Sequence, residues 1–195
     1  LDIFAVGFKR FGAELYRHNW YVLLGNGDGT FQGPIDSVET TTAIGGDLQL
    51  ASPNARDLDG DGKLDILMAW YTKKQVLFLK GNGNGTFAPP VASTLPVAAS
   101  NIAIGDLNGD GKLDIVVNDT ASSTIATALG DGTGKFASPA SYTTHGTAGY
   151  LLLGDFSGDG KPDVVYSVYG SPNFGLFLNN GSGALSASPL LISAG

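Results

Sequence analysis

The chain has no cysteine among its 195 residues. This excludes disulfide staples and every thiolate site, whether catalytic or metal-binding. It has two histidines, His18 and His145, far apart in sequence, and no GxSxG or HExxH string. No nucleophile–base constellation can be assembled from these, so the chain is not expected to be an enzyme. Only 11 residues are Lys or Arg against 18 Asp or Glu, and the basic residues form no stripe, which argues against a nucleic-acid partner. No apolar run approaches the roughly 18 residues that a membrane-crossing helix needs. Membrane insertion is not expected either. Helical periodicity is nearly missing.

Glycine, at 29 residues, and many Thr and Ser punctuate a chain that is 43% hydrophobic. That pattern describes short strands joined by tight turns. One nine-residue stretch organises the rest. DLDGDGKLD at 57–65 returns as DLNGDGKLD at 106–114 and as DFSGDGKPD at 155–163, a period of 49 residues. Side-chain oxygens at positions one, three, five and nine, with a backbone carbonyl at position seven, suit a hard cation that takes six to eight oxygen ligands at about 2.3–2.6 Å. The expected calcium ligands are Asp57, Asp59, Asp61 and Asp65; Asp106, Asn108, Asp110 and Asp114; and Asp155, Ser157, Asp159 and Asp163. Lys63, Lys112 and Lys161 would give main-chain carbonyls while their ammonium groups stay in water. Three calcium sites are expected. An EF-hand is excluded, because position twelve is Met68, Val117 or Tyr166 instead of the bidentate Glu it requires. Magnesium fits less well, since it tolerates only near-ideal octahedra.

The net charge of −7 has the same origin. Ten of the 18 acidic residues lie in the three loops, and three calcium ions would bring the total to −1. The acidity therefore reports ligands more than a cationic partner. Weak, repeated calcium sites suit a secreted or cell-surface protein, in which metal takes the place of disulfides.

Each repeat carries an apolar strand into the loop, a second strand out of it, a third that ends in a glycine-rich turn, and a fourth. The turn reads GNGDGTF at 25–31, GNGNGTF at 81–87, DGTGKF at 131–136 and NNGSGAL at 179–185. No helix pattern follows these glycines, so they are turns and not phosphate loops. Four strands in 49 residues is the cadence of a propeller blade. The expected fold is all-β: a β-propeller region over 1–195, with blade 1 at 1–45, blade 2 at 46–95, blade 3 at 96–144 and blade 4 at 145–195. Leu1-Asp2-Ile3 matches Leu64-Asp65-Ile66, so the chain is expected to begin inside a repeat, with blade 1 short of its innermost strand. Fifteen strands are expected, and the chain is read as processed, trimmed or partial.

The strings DLNGDGKLDIVV and VLLGNGDGTF resemble the FG-GAP/VCBS-type repeats of the integrin α-subunit N-terminal β-propeller family, particularly its bacterial secreted members and related fungal lectins. The resemblance covers essentially the whole chain. It implies a propeller of usually seven blades, with calcium held in the hairpin between the first two strands of a blade by the side chains named above. Two departures stand out: the Phe-Gly and Gly-Ala-Pro elements are degraded to FAPP (87–90) and FASP (136–139), and only about four blades are present. Further blades, from missing sequence or from a second chain, are expected to close the ring.

Two seven-residue expansions break the period, one between Asp2 and Phe31 and one between Phe31 and Asp57. Both belong to the end opposite the calcium loops. The first, KRFGAELYRHNW at 9–20, mixes cations with aromatics and has Trp70 and Tyr71 as neighbours. Arg10, Phe11, Tyr16, Arg17, Trp20, Trp70 and Tyr71 are the candidate ligand-binding residues, since aromatic faces beside hydrogen-bonding groups suit a sugar ring or a peptide loop. The expected function is a calcium-stabilised binding module, carbohydrate-binding in the manner of a lectin. The alternatives are an integrin-like adhesion propeller with an extracellular protein ligand, and the non-catalytic propeller of a secreted polysaccharide lyase or phospholipase.

Overall fold

The computed structural model describes residues 3–11, 15–33, 35–37 and 50–193. These form fifteen strands in four antiparallel sheets, and within each sheet neighbours in space are neighbours in sequence. The first sheet has three strands, β1 (Ile3–Phe11), β2 (Leu15–Leu23) and β3 (Ile35–Ser37). The second has β4 (Leu50–Arg56), β5 (Asp65–Trp70), β6 (Gln75–Leu79) and β7 (Val91–Thr94). The third has β8 (Asn101–Gly105), β9 (Asp114–Asp119), β10 (Thr124–Gly130) and β11 (Phe136–Thr143). The fourth has β12 (Ala148–Gly154), β13 (Asp163–Val168), β14 (Phe174–Phe177) and β15 (Leu190–Ile192). One 3₁₀ turn, Tyr71–Lys73, is the only helical element among the described residues. This is part of a β-propeller built of four-stranded blades.

Sequence patterning explains the packing. All six residues of β5, DILMAW, are buried, because a strand covered on both faces reads as a continuous apolar run. Alternate residues face opposite sides. Leu67, Ala69, Val76 and Phe78 of the second sheet meet Ile102, Ile115, Val117 and Ala126 of the third. Val116 and Ile125 of the third meet Val164, Tyr166 and Phe177 of the fourth. Where the third sheet's glycine turn packs on the second sheet, only glycine fits: a Cβ at Gly134 would lie 1.9 Å from the Phe78 ring.

Buried polar groups join neighbouring sheets. The Asn118 amide donates to the carbonyls of Ala148 (2.6 Å) and Gly149 (2.5 Å), and the Asn179 amide donates to the Leu107 carbonyl at 2.8 Å. Two turn ends repeat one device. The Phe136 N–H donates to Ser93 Oγ (3.0 Å) and the Leu185 N–H to the Tyr142 hydroxyl (3.1 Å), each on the outermost strand of the preceding sheet.

The first expansion takes an unexpected form. It lengthens a hairpin: β1 and β2 are nine residues each and pair in unbroken register from Ile3↔Leu23 to Phe11↔Leu15. Arg10 stands opposite Tyr16, Lys9 opposite Arg17, and Trp20 pairs with Val6 on one side and Ser37 on the other. Residues 12–14 and 38–49, the latter within the second expansion, lie outside the described residues, as does Asp2.

Trp70 corrects the sequence reading. Its side chain is 7% exposed and packs with Ile66, Met68, Leu77 and Leu79, so it offers no open face to a sugar. The Lys73 ammonium lies 5.9 Å from its ring centroid and helps to close it off. Tyr71 is half-buried at the start of the 3₁₀ turn, its carbonyl accepting the Lys74 N–H at 3.1 Å.

Candidate cation-binding loops

The three acidic loops link β4 to β5, β8 to β9 and β12 to β13. All adopt one conformation. Position one organises the turn: Asp57 Oδ1 accepts the N–H groups of Gly60 (2.8 Å) and Asp61 (3.2 Å), and Oδ2 accepts that of Gly62 (2.8 Å). Asp106 does the same for Gly109, Asp110 and Gly111, and Asp155 for Gly158, Asp159 and Gly160. The curl needs φ of +78° at Gly60 and +82° at Gly62, which a glycine adopts without a Cβ clash. Position five turns the chain again, with Asp61, Asp110 and Asp159 Oδ1 accepting the N–H of Lys63, Lys112 and Lys161 at 2.9–3.0 Å.

Position nine behaves differently from the rest. Asp65, Asp114 and Asp163 are fully buried. Asp65 Oδ2 accepts the Leu58 N–H (2.9 Å) and Oδ1 the Gly81 N–H (2.8 Å). Asp114 holds Leu107 and Gly130 in the same way, both at 2.8 Å. Asp163 holds Phe156 (3.1 Å) and Ser157 (2.9 Å) with one oxygen and Asn179 (2.9 Å) with the other. Each thus ties its acidic loop to the glycine-rich turn of the same sheet. Burial raises the Asp65 and Asp114 carboxyls above the ordinary carboxylate range, against the lowering effect of these N–H donors. The glycine that opens the turn must remain glycine in two sheets: a Cβ at Gly81 or Gly130 would fall 2.0 or 2.1 Å from the Leu64 or Leu113 carbonyl oxygen.

The lysines at position seven have exposed side chains that also make local contacts. Their stems lie across the glycine turn, so that a Cβ at Gly83 would sit 3.1 Å from Lys63 Cδ. Their ammonium groups reach the position-five carboxylates, at 3.3 Å for Lys63–Asp61, 3.9 Å for Lys112–Asp110 and 3.1 Å for Lys161–Asp159.

Asp57, Asp59 and Asp61 each present a carboxylate oxygen within 4.8 Å of the others. The donor set is hard oxygen throughout, and three converging carboxylates repel one another unless a cation lies among them. The residues therefore fit calcium. Sequence reasoning missed one member of this cluster, Lys80. Its ammonium hydrogen-bonds the Asp59 carboxylate and lies 2.8 Å from Asp61 Oδ2. The Lys80 contact, helped by the Lys63 N–H and working against the raising effect of burial, holds the Asp61 carboxyl down at about 2. The corresponding positions before the other turns are Leu24, Leu129 and Leu178.

A cavity of about 310 Å³ lies beside this loop, between the first and second sheets, lined by Val22, Leu24, Lys63, Ile66, Thr86 and Phe87 among others. It is at the acidic-loop end. Trp70 and Tyr71 are at the other end of β5.

Repeats of one family model match residues 1–68, 57–117 and 108–166, under the description "FG-GAP-like repeat". The chain belongs to the FG-GAP-like repeat family. Each matched FG-GAP-like repeat that starts after residue 1 begins at an acidic loop and runs through the following one. A comparison with curated proteins gives no match. Among solved structures, the chain is similar to an Agrocybe aegerita lectin whose structure concerns specific recognition of non-reducing terminal N-acetylglucosamine (19% identity, TM-score 0.62, 98% of this chain and 52% of that one). It is also similar to a Bacteroides caccae protein of unknown function (15% identity, TM-score 0.50, 92% of this chain and 57% of that one). The chain thus spans a little over half the length of these structures, and at such identities the likeness concerns the fold.

Proposed function

We propose that this chain is a calcium-stabilised extracellular module that binds carbohydrate, at the acidic-loop end between the first and second sheets. The observation that carries the reading is the cavity there, where an aromatic ring, Phe87, and aliphatic walls stand beside the Thr86 hydroxyl and the Lys63 side chain. An apolar surface with a few convergent polar groups suits a pyranose, which has apolar C–H faces and an equatorial belt of hydroxyls. The lectin likeness supports this choice and makes N-acetylglucosamine-terminated glycans the first probe.

In this reading, Asp57, Asp59 and Asp61, with their counterparts Asp106, Asn108, Asp110, Asp155, Ser157 and Asp159, hold calcium. Asp65, Asp114 and Asp163 have lone pairs left for the ion after serving the backbone. The bound metal supplies charge neutralisation and rigidity to the hairpin of each blade. No catalytic role is assigned; His145 Nε2 lies 3.2 Å from the Pro189 carbonyl. No helix among the described residues is long and apolar enough to cross a membrane.

The partner of the fourth sheet is a further blade of the same repeat. Tyr150 (81% exposed), Leu152 (59%), Phe174, Leu190 and Ile192 stand on the face where, in the third sheet, Ile125 is wholly covered by the next blade. An apolar sheet face of this kind needs a cover.

A glycan array probed with the folded protein in about 1 mM calcium, and again in EDTA, tests the function. The expected result is a defined sugar hit in calcium that is lost in Phe87→Ala. A blank array from folded, calcium-loaded protein overturns the carbohydrate reading and favours a protein ligand.

A further inference from the structure

We propose that Lys80 is a tethered counter-cation of the first acidic loop, which levels that loop's charge with the other two and competes with calcium for it. The inference rests on the calcium reading above.

The three loops are not equivalent in charge. The first carries four carboxylates, Asp57, Asp59, Asp61 and Asp65; the second has Asn108 at position three, and the third has Ser157 there, leaving each with three. The lysine at position seven is common to all. Ligand charge count is one of the quantities that sets calcium affinity at sites of this kind. Without compensation, the first loop would be the tightest calcium site and, with no metal bound, the most strained by repulsion.

Lys80 alters both properties. It sits one residue before Gly81, at the mouth of the glycine turn, where Leu24, Leu129 and Leu178 stand elsewhere. From there its ammonium crosses to the acidic loop and bonds the Asp59 and Asp61 carboxylates. Asp59 is the residue that makes this loop more acidic than its counterparts, and it is the most enclosed partner of the pair, at 10% side-chain exposure against 26% for Asp61. Counting Lys80, the first loop has the net charge of the other two. The ammonium occupies carboxylate oxygens that a calcium ion requires, so the ion must displace it. Its stem is 41% exposed, which leaves room for it to swing into solvent.

The test is calorimetric titration of calcium into EDTA-stripped protein, with thermal melts in EDTA and in calcium. The variants are Lys80→Leu, the residue of the other repeats, Lys80→Gln as a second uncharged replacement, and Lys73→Gln, which removes the same charge at the opposite end of the sheet. The expected result is one site tightened roughly fivefold in both Lys80 variants, the scale of a lost ion pair near the surface. A lower melting temperature in EDTA is expected too, whereas Lys73→Gln leaves the calcium affinities unchanged and lowers the melts in EDTA and in calcium alike, by no more than the loss of its Trp70 contact. Calcium affinities and EDTA melts that match wild type in both Lys80 variants overturn the role of Lys80 and leave the calcium reading intact. Absence of calcium binding by every protein, with melts indifferent to EDTA, overturns both.

Discussion

Within each acidic loop, the ninth residue reaches out of the loop to the glycine turn, whereas the first, third and fifth serve the loop itself. Asp65, Asp114 and Asp163 are buried, and both oxygens of each already receive backbone N–H groups. They fasten the loop to the glycine turn with no metal required. Asp57, Asp59 and Asp61 converge near the surface, where backbone N–H groups of their own loop hold them, and their mutual repulsion is relieved when positive charge lies among them. The difference teaches that an acidic loop of this kind can contain a lock made by backbone hydrogen bonds and, under the proposed calcium reading, a clasp that depends on metal. The two halves are separable by experiment.

The largest effect should come from breaking the lock. Asp114→Ala leaves the buried N–H groups of Leu107 and Gly130 without partners. It should cost about 3 kcal/mol or more in EDTA, as read by urea denaturation, and somewhat more in calcium, where the carboxylate's remaining lone pair for the ion is lost as well. Gly130→Ala attacks the same lock from the other side, where its Cβ would fall 2.1 Å from the Leu113 carbonyl oxygen. A cost of about 1–3 kcal/mol is expected, and because every ligand side chain remains, it should be nearly the same in calcium and in EDTA. The clasp should respond differently. Asp110→Ala should melt close to wild type in EDTA but lose one site's share of the calcium-induced gain, roughly 0.4–1.4 kcal/mol at millimolar calcium. Equal behaviour of Asp110→Ala and Asp114→Ala in both conditions would erase the distinction.

The smallest effect concerns a buried polar group remote from the loops' clasp. Tyr166 is wholly buried, its hydroxyl accepts the His145 N–H at 2.9 Å, and burial raises its ionisation above the ordinary tyrosine value. A folded-state value above the unfolded one means that its stabilising contribution is full below about pH 10 and is lost as pH rises through the folded value. Denaturation from pH 8 to 11 should show a steeper alkaline loss in wild type than in Tyr166→Phe, with calcium making no difference to the gap.

The repeat was legible because its signals are local. Spacing of the loops, the glycine turns and period-two apolar runs placed the strands, including the three-stranded first sheet. What the sequence hid depends on partners far along the chain. Asp65 and Asp57 look alike in DLDGDGKLD, and only the approach of Gly81, 16 residues on, shows that Asp65 ties the loop to the glycine turn. Lys80 lies outside the motif altogether; its one signal was a lysine where the other repeats have leucine. Trp70 read as a ligand-facing aromatic because the repeat pattern puts it beside the first expansion, yet the neighbouring apolar residues of β5 and β6 enclose it. The first expansion read as a longer connection, whereas its residues continue the alternation of the flanking strands and pair in register.

The most direct test of the account is the thermal melt of the unmodified protein in about 1 mM calcium and in EDTA, paired with a count of bound calcium by equilibrium dialysis. The account predicts bound calcium at the three loops and a higher melting temperature when it is present. An unchanged melt, with no calcium retained by folded protein, would contradict it.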